Sequence, residues 1–133
     1  MKVLSIDYGT KKIGLALGDT ALKIASPFKV LKSRESVVEE IISLVEEYSI
    51  SIIVVGLPLT LRGMVGERAR DVESFVKKLK ERLKESVEVV LWDERFTTEE
   101  AYRLLEGLSY KKKKELKDSL SSYIILKEYL ESL

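Results

Sequence analysis

The sequence predicts an α/β fold in which a five-stranded mixed sheet, an antiparallel meander followed by parallel strands, is flanked by helices. Three observations predict it. Three short apolar runs follow one another near the N-terminus with no helical pattern between them. Beyond residue 33, amphipathic stretches with a 3.6-residue period alternate with β-branched runs. The chain has 133 residues, enough for one hydrophobic core, so we interpret residues 1–133 as a single domain.

The N-terminal quarter of the chain predicts the meander. Residues 3–6 are a compact apolar run, and residues 7–10 after it have the composition of a turn. Residues 13–17 are close enough in sequence to pair with the first run as a hairpin. Residues 24–31 predict a third strand, and Pro27 indicates an edge or a bulge because proline cannot donate a ladder hydrogen bond.

The next part of the chain predicts helices that alternate with strands. Ser33 is expected to cap a helix whose apolar positions, between residues 37 and 48, follow the helical period. Residues 50–55 are β-branched without alternation, as in a strand buried on both faces. A second amphipathic helix over 65–83 and a strand over 87–92 follow, and such crossovers place both strands parallel to the first.

Two more helices are predicted after the last strand. Thr97 and Glu100 form a capping box for the first of them. A basic run at 111–114 opens the final helix, whose core positions are predicted to be Leu116, Leu120, Tyr123, Ile124 and Leu130. The predicted order of elements is therefore β-β-β-α-β-α-β-α-α.

The composition excludes several kinds of site. The chain contains no Cys and no His, which excludes disulfides, thiolate or imidazole metal sites and a Ser-His-Asp triad. A metal site would therefore use hard oxygen ligands, which suit Mg²⁺ or Mn²⁺. Asn and Gln are also absent while Lys and Glu are abundant, as is typical of thermophilic proteins. The net charge of +1 means that a polyanion would have to be bound by a local cationic patch.

Neither a membrane span nor a targeting segment is predicted. No apolar run approaches the roughly 20 residues that a membrane helix needs. An acidic residue at position 7 comes too early for a signal peptide. We therefore expect a cytoplasmic protein that makes no contact with membranes.

Acidic residues follow the ends of two predicted parallel strands. Asp7 ends the first strand, and Asp93 and Glu94 end the last. Ligands in such sheets bind beyond the carboxyl ends of parallel strands, and the strand that ends at Gly56 would separate the acids by two spacings, roughly 10 Å. Gly56 has no side chain and would leave the space between them open. Asp118, beside the core stripe of the final helix, is the third candidate, and acids brought together without a cation would repel one another, so their convergence predicts a metal site.

Four segments resemble the motifs of the YqgF or RuvX family. Residues 7–16 (DYGTKKIGLA) resemble its opening motif, and residues 55–59 (VGLPL) followed by Gly63 resemble its second. Residues 93–101 (DERFTTEEA) resemble the third motif, and residues 117–130 resemble the C-terminal helix. The four segments occur in the family's order and span nearly the whole chain.

The resemblance implies a ribonuclease H-like fold and a metal-dependent nuclease that hydrolyses phosphodiester bonds. Two Mg²⁺ or Mn²⁺ ions about 4 Å apart would stabilise the attacking and leaving oxygens. Asp7 would bridge the ions, and Asp118 with either Glu94 or Asp93 would complete the two sites. The expected role is maturation of the 5′ end of pre-16S ribosomal RNA in ribosome biogenesis, and the alternative is resolution of four-way Holliday junctions in DNA. A junction would favour a symmetric homodimer, whereas an RNA precursor needs only a monomer.

Cationic residues near the acids are the candidates for binding a nucleic-acid backbone. They are Lys11, Lys12, Arg62, Arg68 and Arg95. The lysine run at 111–114 is as typical of a solvated helix face as of a binding surface.

Two other functions are compatible with these patterns. Asp-x-Gly-Thr before a second strand also begins actin-like and sugar-kinase ATPases, but 133 residues cannot build the two lobes that close around a nucleotide. A non-catalytic adaptor that binds RNA in ribosome assembly or transcription would keep the same fold without cutting its ligand.

Overall fold

The computed structural model describes residues 1–58, 66–93, 103, 106 and 109–133, with the side chains of residues 110–118 left out. The described elements are β1 (Lys2–Tyr8), β2 (Lys12–Asp19), β3 (Ile24–Lys32), α1 (Val37–Glu47), β4 (Ile50–Leu57), α2 (Glu67–Arg82), β5 (Glu88–Asp93) and α3 (Tyr110–Glu131). The strands confirm the prediction to within two residues at each end. The helix predicted at Thr97 and Glu100 lies outside the described residues. Across the described ranges, no helix combines the length and apolarity that membrane crossing requires.

The prediction that Ser33 caps α1 is wrong. Ser36 is the N-cap residue, and it makes no side-chain capping hydrogen bond. The backbone N–H of Ser33 instead donates to the carbonyl oxygen of Lys11 at 2.9 Å, so this serine extends the ladder between β2 and β3. Ser33 therefore belongs to the strand ladder, although its local sequence is typical of a helix start.

The strands form one mixed sheet in the order β3-β2-β1-β4-β5. β2 is antiparallel to both β1 and β3, and β4 is parallel to both β1 and β5. This confirms the predicted meander and places β4 between the two strands that end in acids. β3 is an edge strand whose ladder with β2 shifts register between Leu15 and Ala16, next to Pro27, as predicted for this strand.

Each face of the sheet packs against different helices. One face, which we call the α1–α2 face, has Leu4, Ile6, Ile13, Leu15, Ile53 and Val55 in the core formed with α1 and α2. The opposite face, the α3 face, has Val3, Ala16, Ile52 and Val54 in the core formed with α3. Because successive residues of a strand point to opposite faces, these two clusters assign the remaining strand residues to a face as well.

The helix α3 approaches the sheet at a patch of small residues. Ser5 and Ser122 are fully buried, and the Ser5 hydroxyl donates to the carbonyl oxygen of Ser122 at 2.5 Å. Ala16 lies beside Ser5 in the neighbouring strand, which leaves room for the helix backbone. The Ser122 hydroxyl donates in turn to the carbonyl oxygen of Ser119 at 2.8 Å, so both buried hydroxyls have a hydrogen-bond partner, as buried polar groups require.

The helix α3 runs antiparallel to β1. Ser122 contacts Ser5 in the middle of β1. Further along α3, Leu126 packs on Gly18, where an added Cβ would lie 3.0 Å from Leu126 Cδ2, and Gly18 pairs with the start of β1. The carbonyl oxygen of Leu133 accepts a hydrogen bond at 3.5 Å from the turn between β2 and β3. The N-terminal part of α3 therefore leads towards the carboxyl end of β1.

The contact between Ser5 and Ser122 yields a stability prediction. We expect Ser5→Val to destabilise the fold by about 1–3 kcal/mol, because two methyl groups enter a fully buried position in contact with the backbone of α3. Ser5→Ala loses only the hydrogen bond and should cost about 1 kcal/mol. Urea denaturation followed by circular dichroism measures both. Equal stability of the two variants would contradict the close approach of α3 to the sheet.

Candidate active site

Asp7 lies in a row of residues that crosses the α3 face at the carboxyl end of β1. Asp7 pairs with Gly14 of β2, and Gly14 pairs with Val30 of β3. On the other side, β1 and β4 are paired up to the preceding residue, so Gly56 is the next neighbour of Asp7. Gly56 pairs with Trp92 of β5. Across the sheet, the row reads Val30, Gly14, Asp7, Gly56 and Trp92.

Glycine on both neighbouring strands leaves space beside the Asp7 side chain. Neither Gly14 nor Gly56 carries a Cβ, so within this row no side chain stands between Asp7 and Val30 or between Asp7 and Trp92. A hard cation and its ligands, at 2.0–2.6 Å in general, need such open space around a carboxylate. The sequence alone predicts this role for Gly56 but not for Gly14, because the place of Gly14 opposite Asp7 depends on the register of the hairpin.

Position 118 of α3 lies one helical turn before Ser122 on the same side of the helix. One turn advances about 5.4 Å, and the step along β1 from Ser5 to Asp7 is about 6.6 Å. Because α3 is antiparallel to β1, we expect the backbone at position 118 to lie level with Asp7. The side chain of Asp118 is outside the described residues.

Strand alternation separates Asp93 from Asp7. Trp92 packs with the core on the α3 face, and Val89 packs with the core on the α1–α2 face. Asp93 shares the alternation of Val89 and therefore belongs to the α1–α2 face, whereas Asp7 belongs to the α3 face. Glu94 is the next residue after Asp93 and lies outside the described residues.

The described side chains do not by themselves form a metal site. Among them, no three acidic residues are grouped closely enough to hold an ion. Two of the four predicted acids, Glu94 and Asp118, are outside that set of side chains, so their convergence with Asp7 stays a prediction.

Trp92 connects the end of β5 to α3. Its indole N–H donates to the Glu128 carboxylate at 3.0 Å, and its ring packs edge-on against Tyr129 with centroids 5.8 Å apart. Burial, and to a lesser degree the charge of Glu88, raises the pKa of Tyr129, so its phenol is neutral at physiological pH. These contacts join the strand that precedes Glu94 to the helix that contains Asp118.

Three of the predicted cations surround one cleft of about 440 Å³ beside the turn between β1 and β2. The lining residues are Tyr8, Gly9, Thr10, Lys11, Lys12, Arg68 and Asp71. The other two predicted cations, Arg62 and Arg95, lie outside the described residues. Lys11, Lys12 and Arg68 thus come together although Arg68 is far from the lysines in sequence.

Two local features shape this cleft. Tyr8 stacks on Phe75 of α2 with ring centroids 4.6 Å apart, which holds α2 close to the end of β1. A Cβ on Gly9 would collide with the carbonyl oxygen of Lys12, so the tight turn requires glycine at this position. The turn therefore presents Lys11 and Lys12 next to the first turns of α2.

Comparison with known sequences identifies relatives that cover nearly all of the chain. Residues 1–132 match a family model described as RuvX, Holliday junction resolvase. A protein of Sulfurihydrogenibium sp. (strain YO3AOP1), named "Putative pre-16S rRNA nuclease", is 42% identical over 132 residues, which cover 99% of this chain and 91% of that protein. A protein of the same name from Thermoanaerobacter pseudethanolicus is 38% identical over 137 residues, covering 99% of this chain and 97% of that protein. The relatives include proteins of thermophiles, in line with the composition.

Solved structures share the fold at low sequence identity. Fowlpox virus resolvase, in a complex with substrate Holliday junction DNA, has a TM-score of 0.64 at 14% identity and covers 99% of this chain and 98% of that one. RuvC of T. thermophilus, in a complex with a Holliday junction substrate, has a TM-score of 0.61 at 16% identity and covers 99% and 94% of the two chains. The predicted ribonuclease H-like fold is thus confirmed. From its matched sequence, and in keeping with the order of its strands, this chain belongs to the RuvX, or YqgF, family.

Proposed function

We propose that this chain is a metal-dependent nuclease that hydrolyses phosphodiester bonds at the carboxyl end of β1, with a ribosomal RNA precursor as its substrate. The observation that carries the proposal is the position of Asp7 at the carboxyl end of β1, between Gly14 and Gly56. Relatives named as pre-16S rRNA nucleases, at 36% to 42% identity, favour the RNA precursor. Processing of such a precursor would take place in the cytoplasm, where ribosomes are assembled.

Asp7, Glu94 and Asp118 are the proposed ligands of two Mg²⁺ or Mn²⁺ ions. The chain has neither His nor Cys, so its acidic donors are carboxylates, which suit hard cations such as Mg²⁺ and Mn²⁺. Asp7 would hold the ions from the sheet, with Asp118 contributing from α3. When bound, the ions supply an activated water and stabilise charge on the phosphate oxygens, which removes the need for a histidine base.

We propose Glu94 and not Asp93 as the ligand that follows β5. The alternation of β5 assigns Asp93 to the α1–α2 face, and Asp7 lies on the opposite face. A carboxylate on the wrong face would have to reach around the edge of the sheet to share an ion with Asp7. Glu94, the next residue in the chain, is therefore the proposed ligand.

The predicted cations are proposed to bind phosphates of the substrate. Lys11, Lys12 and Arg68 surround one cleft, and β1 leads from Asp7 directly into the turn that carries the two lysines. Arg62 and Arg95 are proposed for the same role from their positions in the sequence. Contacts of this kind position a nucleic acid without selecting its sequence.

A four-way DNA junction is the second candidate substrate. It is favoured by the matching family model, which is described as a Holliday junction resolvase. Symmetrical cutting of a junction requires two active sites, so this alternative also requires a homodimer in solution. Light scattering on the purified protein distinguishes a monomer from a homodimer and therefore tests this alternative.

The role of Asp7 is tested by Asp7→Asn. The variant keeps the size of the side chain but loses the charge that holds the ions, so we expect cleavage to fall by about 100-fold or more while the fold is retained. Cleavage of a pre-16S RNA fragment and of a four-way junction is measured with Mn²⁺ and with EDTA, and circular dichroism checks the fold. A wild-type protein that binds RNA but cuts neither substrate in Mn²⁺ would support the adaptor instead.

Asp93 and Glu94 form a matched pair for a second test. We expect Glu94→Gln to lower the cleavage rate by about 100-fold and Asp93→Asn to change it by less than about 3-fold, because only the first removes a metal ligand. Single-turnover cleavage in Mn²⁺ compares the two variants. The reverse order of effects would reject the argument from strand alternation.

Trp92→Phe tests the link between β5 and α3. Loss of the indole N–H should cost about 1–2 kcal/mol of stability and raise the Mn²⁺ concentration for half-maximal activity by about 3- to 10-fold, because the two acid-bearing elements lose a shared anchor. The control is Glu128→Gln, whose amide oxygen still accepts the hydrogen bond. An unchanged Mn²⁺ titration in Trp92→Phe would show that the contact has no part in positioning the site.

A further inference from the structure

The two edges of the sheet differ in how well they are protected from another chain. The strand order leaves β3 and β5 as the edge strands. Edge strands of native proteins carry features that prevent pairing with a further strand, such as proline, lysine or a bulge. β3 has all three, namely Pro27, the register shift beside it, and the exposed side chains of Lys29 and Lys32. The β3 edge is therefore poorly suited to pairing with another strand.

The β5 edge lacks these features. Its sequence, EVVLWD, contains neither proline nor lysine, and its charged residues, Glu88 and Asp93, stand only at its two ends. Its register with β4 is continuous along the whole strand. In the described part of the chain, β4 is the only strand that pairs with β5. Within those residues, the outer backbone N–H and C=O groups of its apolar centre thus offer an edge for pairing.

A cleft of about 490 Å³ lies beside this edge, between α2 and β5. It is lined by Glu73, Val76, Lys77, Lys80, Glu81 and Leu91. Leu91 shares the alternation of Val89 and therefore belongs to the α1–α2 face, yet it is 42% exposed. The helix α2 thus leaves an apolar part of the sheet uncovered next to the β5 edge.

The charges around the cleft are of both signs. The helix α2 contributes two acids, Glu73 and Glu81, and two lysines, Lys77 and Lys80. Among the residues that the structure describes, none of these four takes part in an ion pair. A strongly acidic or strongly basic partner would be repelled by half of them. A second copy of the same surface carries both signs and can match each charge with an opposite one.

We propose that two copies of this chain associate about a two-fold axis through β5 and α2. The two β5 strands pair edge to edge and antiparallel, with Leu91 of both copies near the axis, so that the two sheets become continuous. The two α2 helices lie antiparallel on the same face, which brings Glu73 of each copy towards Lys80 of the other. The inference goes beyond the proposed function, and an assembly with two Asp7 residues has the two active sites that a four-way junction requires.

The association is tested by sedimentation equilibrium on the full chain over a range of micromolar concentrations. We expect a dimer, and Leu91→Glu should raise its Kd by about 10-fold or more, because it places two like charges next to each other at the axis. The control is Ile24→Glu, which adds the same charge at a 58% exposed position of the other edge strand. The control should leave the Kd unchanged, and circular dichroism checks the fold of both variants.

A charge reversal tests the arrangement of the helices. Glu73→Lys should raise the dimer Kd by about 3- to 10-fold, and adding Lys80→Glu to the same chain should restore it. The two residues are two helical turns apart within one chain, about 10 Å, so the rescue requires a contact between copies. A double variant that associates no better than Glu73→Lys would overturn the antiparallel packing of α2.

Amide hydrogen exchange locates the interface on the strand. Exchange of residues 88–93 should slow as the concentration of the wild-type protein rises, and it should be independent of concentration in Leu91→Glu. A wild-type protein that stays monomeric, or equal weakening by Leu91→Glu and Ile24→Glu, would overturn the proposal. So would a dimer whose β5 amides exchange at the same rate at every concentration. Because none of these measurements uses a nucleic acid, their failure would leave the nuclease proposal untouched.

Discussion

The packing of α3 on β1 at Ser5 and Ser122 is the contact on which the candidate site depends. At this contact a hydroxyl of the strand donates to a carbonyl oxygen of the helix backbone at 2.5 Å, with no large side chain between them. Three small residues, Ser5, Ala16 and Ser122, make this approach sterically feasible. The same contact determines the distance between the sheet and the backbone of α3 near position 118. Since catalytic groups must be held to within a fraction of an ångström, a buried anchor one helical turn away is well placed to hold one.

In addition to this packing contact, the two residues that flank Asp7 in the neighbouring strands are glycines and carry no side chain. Glycine in the two neighbouring strands carries a cost, because it loses more backbone freedom on folding than other residues and adds nothing to the core. The cost falls at Gly14 and Gly56, on either side of the acid, whereas the rows below are filled by Ala16, Val54 and the helix α3. Stability is thus supplied by the middle of the sheet, and the carboxyl end is left open for a ligand.

Charge is distributed in the same way. The chain as a whole is nearly neutral, with a net charge of +1, so it exerts little long-range attraction on a polyanion. Cationic side chains instead gather at the hairpin end, where Lys11, Lys12 and Arg68 line a cleft together with Asp71, and Lys32 pairs with Lys12 in the ladder. Asp7 and these cationic residues therefore lie at the same end of the sheet. This arrangement fits an anionic ligand in which one phosphate binds cations.

The sequence by itself determined the strands, their order along the chain and the position of Asp7 at a strand end, because apolar periodicity and turn composition are local properties. It also indicated the role of Gly56 and the edge position of β3 from Pro27. The tertiary structure decided which residues face each other: Gly14 beside Asp7, Lys32 opposite Lys12, and Asp93 on the face away from Asp7. These depend on register, and a slip of one residue would move every side chain of a strand to the other face. For the same reason Ser33, a plausible helix cap by local rules, is instead part of the ladder.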